Sequence, residues 1–216
     1  MKSRYHLEIT QKALDPYFAQ DALQIILKAN IGQDKIKYQF GHPYFHFDSN
    51  SFNAGFAYIE TQEQQIIEGI TQGNYRHAQE ALGRITHTWQ DFYSHSNYIK
   101  LWIKDHPNAK PEDIDPADPV YINHPDLISG NVYALDFLAL VPGLSKLIKP
   151  LMPDDSHAKM NLDSPTSGPL FAFNYQTALK RTRLVYERVM ALCTESQISN
   201  RQMAQFQGKF HEEEKV

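Results

Sequence analysis

The segment from residue 75 to residue 103 constrains the fold more than any other part of the chain. Its apolar residues recur mostly at intervals of three or four, and Gly83 is the only glycine or proline within it. This is the period of an α-helix, so the sequence predicts one long buried helix here. The positions that define the period are Ala78, Ala81, Leu82, Ile85, Trp89 and Phe92.

Helical patterns also occupy most of the remaining chain. They cover residues 9–29, 51–71 and 170–194, and Pro16 favours a boundary that divides the first of these into two helices. Residues 131–148 predict a pair of short amphipathic helices with a Pro-Gly hinge between them.

Two long segments lack a helical period. Residues 105–126 contain five prolines and six acidic residues, and residues 150–169 form a second irregular stretch. The sequence has neither strand-like alternation nor an internal repeat. It therefore predicts one all-α domain over residues 1–216, with two long loops and a frayed tail at residues 206–216.

Composition excludes several classes of protein. The chain has 216 residues, of which 42% are apolar and 21% charged, so it can bury a core and fold alone. Its net charge of −4 argues against a broadly basic surface for nucleic acid. With Cys193 as the single cysteine, neither an internal disulfide nor a zinc site built on several thiolates is expected.

The sequence has no recognisable targeting or membrane-spanning segment. Two early cations follow Met1 without a subsequent apolar run, which is not the pattern of a secretory signal. The longest apolar stretch, residues 132–151, is interrupted by acidic, basic, Pro and Gly residues. We therefore expect a cytoplasmic protein, or one exported by a route without a signal peptide.

The most specific chemical pattern lies within the long predicted helix. His87, Asp91 and His95 are spaced four residues apart, so they lie along one face of the helix. Imidazole and carboxylate groups arranged in this way can bind a metal ion together. The alternative is a solvated polar stripe, although such a stripe more commonly carries Lys and Glu.

Other histidines and acids give weaker signals. His46 and Asp48 flank Phe47 just before a predicted helix and are candidates for a metal site, while capping of that helix is the alternative role for Asp48. His6 and His157 carry little information in isolation.

Taken together, these residues resemble the HET-C-like group, which is related to the zinc-dependent phospholipases C and to single-strand nucleases of the same helical fold. The resemblance spans residues 6–182, and residues 87–97 are its most specific part. It is carried by His6, Ile9, Thr10, Ala13 and Leu14; by His46, Phe47 and Asp48; by Gly83, His87 and the run from Gln90 to Asn97; and by His157, Asn161, Asp163 and Ser164.

The resemblance implies a helical bundle of the zinc-dependent phospholipase C type that binds up to three zinc ions. It implies that Asp48 also acts as the catalytic base of a zinc-dependent phosphodiester hydrolase. Relatives in that superfamily often carry a histidine where this chain has Asn174. Carried over residue by residue, the implied zinc ligands are His6, His46, Asp48, His87, Asp91, His95, His157 and Asp163.

Hydrogen bonds from neighbouring side chains are expected to fix the orientation of the ligating imidazoles, and Asn97, Asn161 and Asp163 are the candidates. For the substrate, residues 132–151 combine many apolar residues with two lysines, as an interfacial segment does, although a core hairpin is the alternative. Phospholipid, with peripheral membrane contact through residues 132–151, is therefore favoured over nucleic acid. The remaining alternatives are a single-strand nuclease and a zinc-stabilised helical module without activity.

Overall fold

The computed structural model describes residues 1–35, 38, 41–139 and 145–209. The helices with bounds inside these ranges, numbered in chain order, are α1 (Ser3–Leu14), α2 (Gln20–Gly32), α3 (Phe52–Thr71), α4 (Tyr75–His95), α5 (Tyr98–Asp105), α6 (Pro119–Ile122), α7 (Ala134–Ala139), α8 (Ser145–Ile148), α9 (His157–Met160), α10 (Leu170–Glu195) and α11 (Asn200–Phe206). The predicted all-α class is confirmed, since these ranges contain two isolated β-bridges and no strand.

Helix α4 is the centre of the bundle. It packs against α2, α3 and α10, and every residue from Ile85 to His95 is buried. Its apolar side chains meet those of the surrounding helices, while its polar residues in the last three turns are buried as well. A helix covered on all sides must find internal partners for those polar groups.

The predicted long helix is interrupted near its C-terminal end. Helix α4 ends at His95, and α5 begins at Tyr98. Between them Ser96 is extended and forms a β-bridge with Ser129, and the backbone N–H of Asn97 donates to the carbonyl of Ile128. Between α4 and α5 the backbone therefore leaves the helical conformation and bonds instead to a loop that is distant in the sequence.

The other predicted helices are present in the structure. The predicted 9–29 segment is divided around Pro16 into α1, which begins earlier at Ser3, and α2, which ends later at Gly32. Helices α3 and α10 match the predicted 51–71 and 170–194 within a residue or two. The pair predicted at residues 131–148 corresponds to α7 and α8, and its hinge lies outside the described residues.

The C-terminal segment is ordered further than predicted. Sequence analysis missed α11, which begins at a capping box between Ser199 and Gln202. Phe206 is fully buried, and the carbonyl of Gln207 accepts a hydrogen bond from the N–H of Ala19. The predicted fraying from residue 206 is therefore wrong for residues 206–209, and residues 210–216 lie outside the described residues.

Both predicted loops are attached to the bundle. In the loop at residues 105–126 Ile114 is fully buried, and the hydroxyl of Tyr98 donates to the carbonyl of Asp115 at 2.5 Å. The loop at residues 150–169 contains the short helix α9, whose first turn is capped by Ser156.

No helix among the described residues is long and apolar enough to cross a bilayer. Within the apolar stretch at residues 132–151, Leu147 and Leu151 are 70% and 79% exposed.

Replacing Gly83 by Ala tests how closely α2 and α4 approach. A Cβ atom at position 83 would lie 2.3 Å from the carbonyl oxygen of Ile26 and 2.8 Å from the Cβ of Ala29. Because the backbone of α2 would have to move, we expect Gly83→Ala to lower the free energy of unfolding by about 1–3 kcal/mol in urea denaturation, despite the higher helix propensity of Ala. Gly32→Ala is the control, since its Cβ would meet nothing within 4 Å; an equal loss in both variants would contradict the close approach.

Candidate metal centre

All eight residues predicted as metal ligands converge at one end of the bundle. They come from α1, from the turn after residue 45, from α4, from α9 and from the segment after α9. A continuous set of contacts between ring nitrogens and carboxylate oxygens joins the eight side chains, which are His6, His46, Asp48, His87, Asp91, His95, His157 and Asp163.

The carboxylate of Asp91 is the hub of this cluster. Its Oδ2 lies 2.8 Å from His46 Nδ1 and 3.0 Å from His87 Nε2. Its Oδ1 lies 3.1 Å from His6 Nε2 and 2.6 Å from the amino nitrogen of Met1. Three imidazoles from three separate segments therefore surround one carboxylate that is 1% exposed.

A first group with metal-binding geometry consists of His6, Asp34, His87 and Asp91, each of which offers one ligand atom within 4.8 Å of the others. Asp34 was missed by the sequence analysis. It lies in a turn just after α2, where neither a helical spacing nor a second ligand type nearby marks it. Only the packing of α2 against α4 brings it to His87, at 3.7 Å from Nε2.

A second group with this geometry consists of Asp48, His95 and His157. Asp48 Oδ1 lies 2.8 Å from His157 Nδ1 and 3.1 Å from His95 Nδ1. On the other side of the ring, His95 Nε2 lies 3.4 Å from Asp163 Oδ1 and 3.7 Å from Asp91 Oδ1. His95 thus joins the two groups.

Backbone strain holds Asp48 in position. Phe47, Ser49 and Asn50 all have positive φ angles between 52° and 57°, which is uncommon for residues with side chains and costs free energy. The fully buried Phe47 ring and the hydrogen bonds of Asn50 with Ser129 compensate for this cost. The carboxylate between these residues is therefore aimed into the cluster by a rigid turn.

The second group is also fixed from the opposite side. The N–H of Ser49 donates to the carbonyl of Gly130, and a Cβ atom at position 130 would lie 2.6 Å from the Cα of His157. Glycine is therefore required where the backbone of residue 130 passes His157.

Electrostatics in the first group favour the forms that bind metals. Burial lowers the pKa of His87 to about 4, and the neighbouring His6 contributes to the shift. Burial by itself would raise the pKa of Asp91, but the amino group of Met1 and the rings of His95 and His87 hold it well below its usual value. Near neutral pH, His87 is then a neutral imidazole and Asp91 a carboxylate, as metal coordination requires.

The second group is a hydrogen-bonded charge cluster. Burial opposes ionisation of Asp48, yet the adjacent His95 and His157 hold its pKa below the usual value. Burial likewise disfavours a charged His95, but Asp91 and Asp48 raise its pKa to about 10. A cation placed among these carboxylates would take over the stabilising role of the His95 charge.

The donor set fits zinc. The His6 Nε2 is buried and has no hydrogen-bond partner, although it lies within 3.1 Å of Asp91 Oδ1. His46 and His87 each also carry one buried ring nitrogen without a partner. Such orphaned nitrogens are rare in folded proteins, and imidazole with carboxylate is a ligand set that zinc accepts.

The structure decides between several roles that the sequence left open. A solvated polar stripe is excluded, because His87, Asp91 and His95 are at most 5% exposed. The capping role of Asp48 is excluded as well, because the N-terminus of α3 has no side-chain cap and Asp48 faces two histidines. Asn174 is fully buried, and its side chain donates to the hydroxyl of Ser94 and to the carbonyl of Leu162, which precede His95 and Asp163 in the sequence.

One of the three side chains expected to hydrogen-bond a ligating imidazole differs from expectation. The Asn97 side chain bonds to the backbone of residues 126 and 128, so the prediction for Asn97 is wrong. Asp163 Oδ1 lies 3.4 Å from His95 Nε2. Asn161 lines a cleft of about 460 Å³ that opens over the centre.

A buried polar network that the sequence analysis missed supports His6. The Nδ1 of His6 lies 2.6 Å from Gln90 Oε1, and the Nε2 of Gln90 donates to the hydroxyls of Thr10 and Thr182. Asn30 donates to the same Gln90 oxygen, at 3.2 Å. Because an amide oxygen only accepts, His6 donates its Nδ1–H to Gln90, and this bond fixes the ring with Nε2 on the side of Asp91. All five residues are fully buried.

Comparisons with known proteins indicate a family other than the expected one. Residues 7–112 match the family described as the VWA7 N-terminal domain. Von Willebrand factor A domain-containing protein 7 from Rattus norvegicus is 32% identical over 80 residues, and its counterpart from Homo sapiens is 31% identical over 80 residues. Each alignment covers 37% of this chain and 9% of the relative, so the match spans about a tenth of those proteins. No solved structure matches.

These matches correct the sequence-based assignment. The predicted membership of the HET-C-like group, with its zinc-dependent phospholipases C and single-strand nucleases, is wrong, because the family and the relatives that match are VWA7 proteins. The predictions of a zinc-dependent phosphodiester hydrolase, of a phospholipase C and of a nuclease are overturned by the same finding. The catalytic role of Asp48 was expected only from the resemblance to these hydrolases, so it no longer follows.

The role of Gln90 can be tested by replacing it with Met, which has a similar size but is only a weak acceptor for a hydrogen bond from the His6 N–H. We expect Gln90→Met to weaken zinc binding by about 10- to 100-fold in a competition titration with a chromogenic chelator, because His6 is no longer held in one tautomer.

Gln79→Met is the matched control. Gln79 is buried on the same helix and donates to the carbonyl of Phe206, away from the cluster. Both variants should lose about 1–3 kcal/mol of stability. Equal zinc affinity in the two variants would show that Gln90 is a structural residue alone.

Proposed function

We propose that this chain is a zinc-binding helical domain, in which the His–Asp cluster binds up to three zinc ions and holds distant segments of the bundle together. The observation that carries the proposal is the convergence of three imidazoles on the buried carboxylate of Asp91. One of these imidazoles, that of His6, has a buried ring nitrogen without a hydrogen-bond partner. The Met1 amino group lies 2.6 Å from Asp91 Oδ1, yet one buried ring nitrogen of each of His6, His46 and His87 still has no partner, which is costly in a folded protein.

The first group can supply a complete coordination shell. Zinc in structural sites is four-coordinate, and His6, Asp34, His87 and Asp91 offer four ligand atoms in close proximity. Three of these residues are at most 1% exposed, while the side chain of Asp34 is 25% exposed and lines the cleft, as Asp91 does. Bound zinc would neutralise the carboxylates and be coordinated by the neutral imidazoles.

The second group offers fewer ligands and lines the same cleft as the first. Asp48, His95 and His157 supply three ligand atoms, and Asp48 and His157 line the cleft of about 460 Å³. An ion at this position would retain access to solvent. His46 and Asp163 lie close enough to complete either shell or to bind a further ion.

The ligands are far apart in the sequence, which gives the metal a structural effect. His6 and His157 are separated by 150 intervening residues. Ions bound to the two groups would therefore cross-link α1, the end of α2, α4 and α9, and the binding free energy would add to the stability of the fold.

Replacing Asp91 by Asn tests the proposal. The amide keeps the size of the side chain and removes its charge, so we expect the zinc content measured by mass spectrometry to fall by at least one ion per chain. Chelation of zinc from the unaltered chain should lower its stability by about 4 kcal/mol if free zinc exceeds the Kd by roughly a thousandfold. For a chain of this length that corresponds to a loss in Tm of about 8–16 °C.

His106→Ala is the control, because His106 stacks on Trp102 at a distance from the cluster. Its zinc content should equal that of the unaltered chain. An Asp91→Asn variant with full zinc content, or a Tm that does not respond to chelation, would contradict the proposal.

A contact between residues 132–151 and a membrane surface is a second, separate proposal. The exposed Leu147 and Leu151 flank the exposed Lys149, as expected of a segment that inserts apolar side chains beneath anionic headgroups. Leu138, Val141 and Leu144 belong to the same apolar segment and lie outside the described side chains.

The joint variant Leu147→Ser and Leu151→Ser should sediment less with anionic liposomes, while its Tm changes little because both side chains are exposed. Liposome binding that is unchanged in this variant would remove the proposal.

A further inference from the structure

A second cavity, of about 300 Å³, lies between the C-terminal end of α2, α3 and the first half of α4. Its lining residues are distinct from those of the metal centre, although the two sites are neighbours. Gln33 and Lys35 face this cavity, while the intervening Asp34 faces the metal centre. In the same way Phe45 lines this cavity and His46 the other.

Arg84 is held in place in this cavity without a carboxylate partner. Its Nε donates to Gln62 Oε1 at 2.5 Å, and its Nη2 donates to Gln65 Oε1 at 3.2 Å. Both acceptors are neutral amides, and no carboxylate among the described residues lies within 4.0 Å of the guanidinium. Hydrogen bonds therefore hold the guanidinium in one position, while no carboxylate neutralises its charge. A guanidinium held in this way is preorganised to bind an anion.

The surrounding charge reinforces this interpretation. Lys28, Lys35 and Arg76 also line the cavity, and the single lining carboxylate, Glu80, is paired with Arg76 at 3.0 Å. The lining therefore carries four cations and one carboxylate in a chain with a net charge of −4. Because the net charge of this lining is positive, the cavity raises the local concentration of anions even though the whole chain is negative.

One wall of the cavity is aromatic and rigid. Tyr38, Phe45 and Tyr58 line it, and the rings of Phe45 and Tyr58 are 4.5 Å apart between centroids. The hydroxyl of Tyr58 donates to Gln33 Oε1 at 2.7 Å, and Gln33 in turn donates to the carbonyl of Arg84 at 3.0 Å. The aromatic wall and the cationic side are thus fixed relative to each other.

We infer that this cavity binds a small organic phosphate monoester. Arg84 and Lys28 would bind the phosphate oxygens, and the organic group would lie along the aromatic wall. A guanidinium recognises the oxygens of phosphate through paired N–H donors, and a concave site with an apolar wall and a few convergent polar groups is typical of small-ligand binding. This inference does not depend on the proposed zinc centre.

Phenyl phosphate and inorganic phosphate serve as probes in calorimetric titrations of the full chain as purified. We expect phenyl phosphate to bind at least about 5-fold more tightly than inorganic phosphate, because its ring buries apolar surface against the wall. Arg84→Gln should weaken the binding of both by at least about 10-fold, as expected for the loss of a hydrogen bond between charged groups.

Lys28→Gln gives an independent measurement if Arg84→Gln fails to fold, because Lys28 is exposed and the fold should tolerate its replacement. It should weaken phenyl phosphate binding about 2- to 5-fold, by a factor that decreases as salt is added. Lys149→Gln removes an exposed cation that lines the metal-centre cleft and is the matched control, with unchanged binding expected.

Three results would overturn the inference. The first is the absence of binding by either probe at millimolar concentration. The second is binding that is lost in Lys149→Gln or Asp91→Asn but retained in Lys28→Gln and Arg84→Gln, which would assign the phosphate to the metal centre. The third is inorganic phosphate binding as tightly as phenyl phosphate, which would remove the role of the aromatic wall.

Discussion

The burial of the Asp91 carboxylate is the constraint on which the rest of the structure depends. An ionised carboxylate excluded from water is very costly unless cationic or hydrogen-bonding groups surround it. Here the compensation comes from the Met1 amino group and from His6, His46 and His87. His87 lies on the same helix as Asp91, so it is the segments of Met1 and His6 and of His46 that must approach this point on α4, and this requirement fixes the arrangement of that end of the bundle.

The need to satisfy polar groups extends outward from Asp91 through the core. His6 bonds to Gln90, and Gln90 bonds to threonines on α1 and α10, so a polar layer runs through a bundle that is otherwise packed with apolar side chains. A network in which each member is buried and paired favours one relative position of the helices. The same helix carries Arg84 two turns before Asp91, and the Arg84 guanidinium is held by the neutral amides of Gln62 and Gln65.

Motif similarity and family are separate questions for this chain. The His and Asp residues whose pattern resembles a zinc hydrolase superfamily do converge in space, yet the family that matches residues 7–112 is the VWA7 N-terminal domain, and the relatives that match over 80 residues are VWA7 proteins. Five of the eight predicted ligands lie inside the matched segment, and His6, His157 and Asp163 lie outside it. A constellation of ligands therefore predicts where chemistry is concentrated, but it does not by itself define the reaction.

The sequence by itself determined the features that depend on local periodicity. The spacing of apolar residues predicts α1 to α4 and α10, and the four-residue spacing of His87, Asp91 and His95 places these side chains on one face of a helix, because the helical repeat fixes their directions. Only the tertiary structure decided the break after His95, the participation of Asp34 and the partnership of His6 with Gln90. Each depends on contacts between residues more than 25 positions apart, and such contacts arise from the packing of whole helices, which leaves no periodic signal in the sequence.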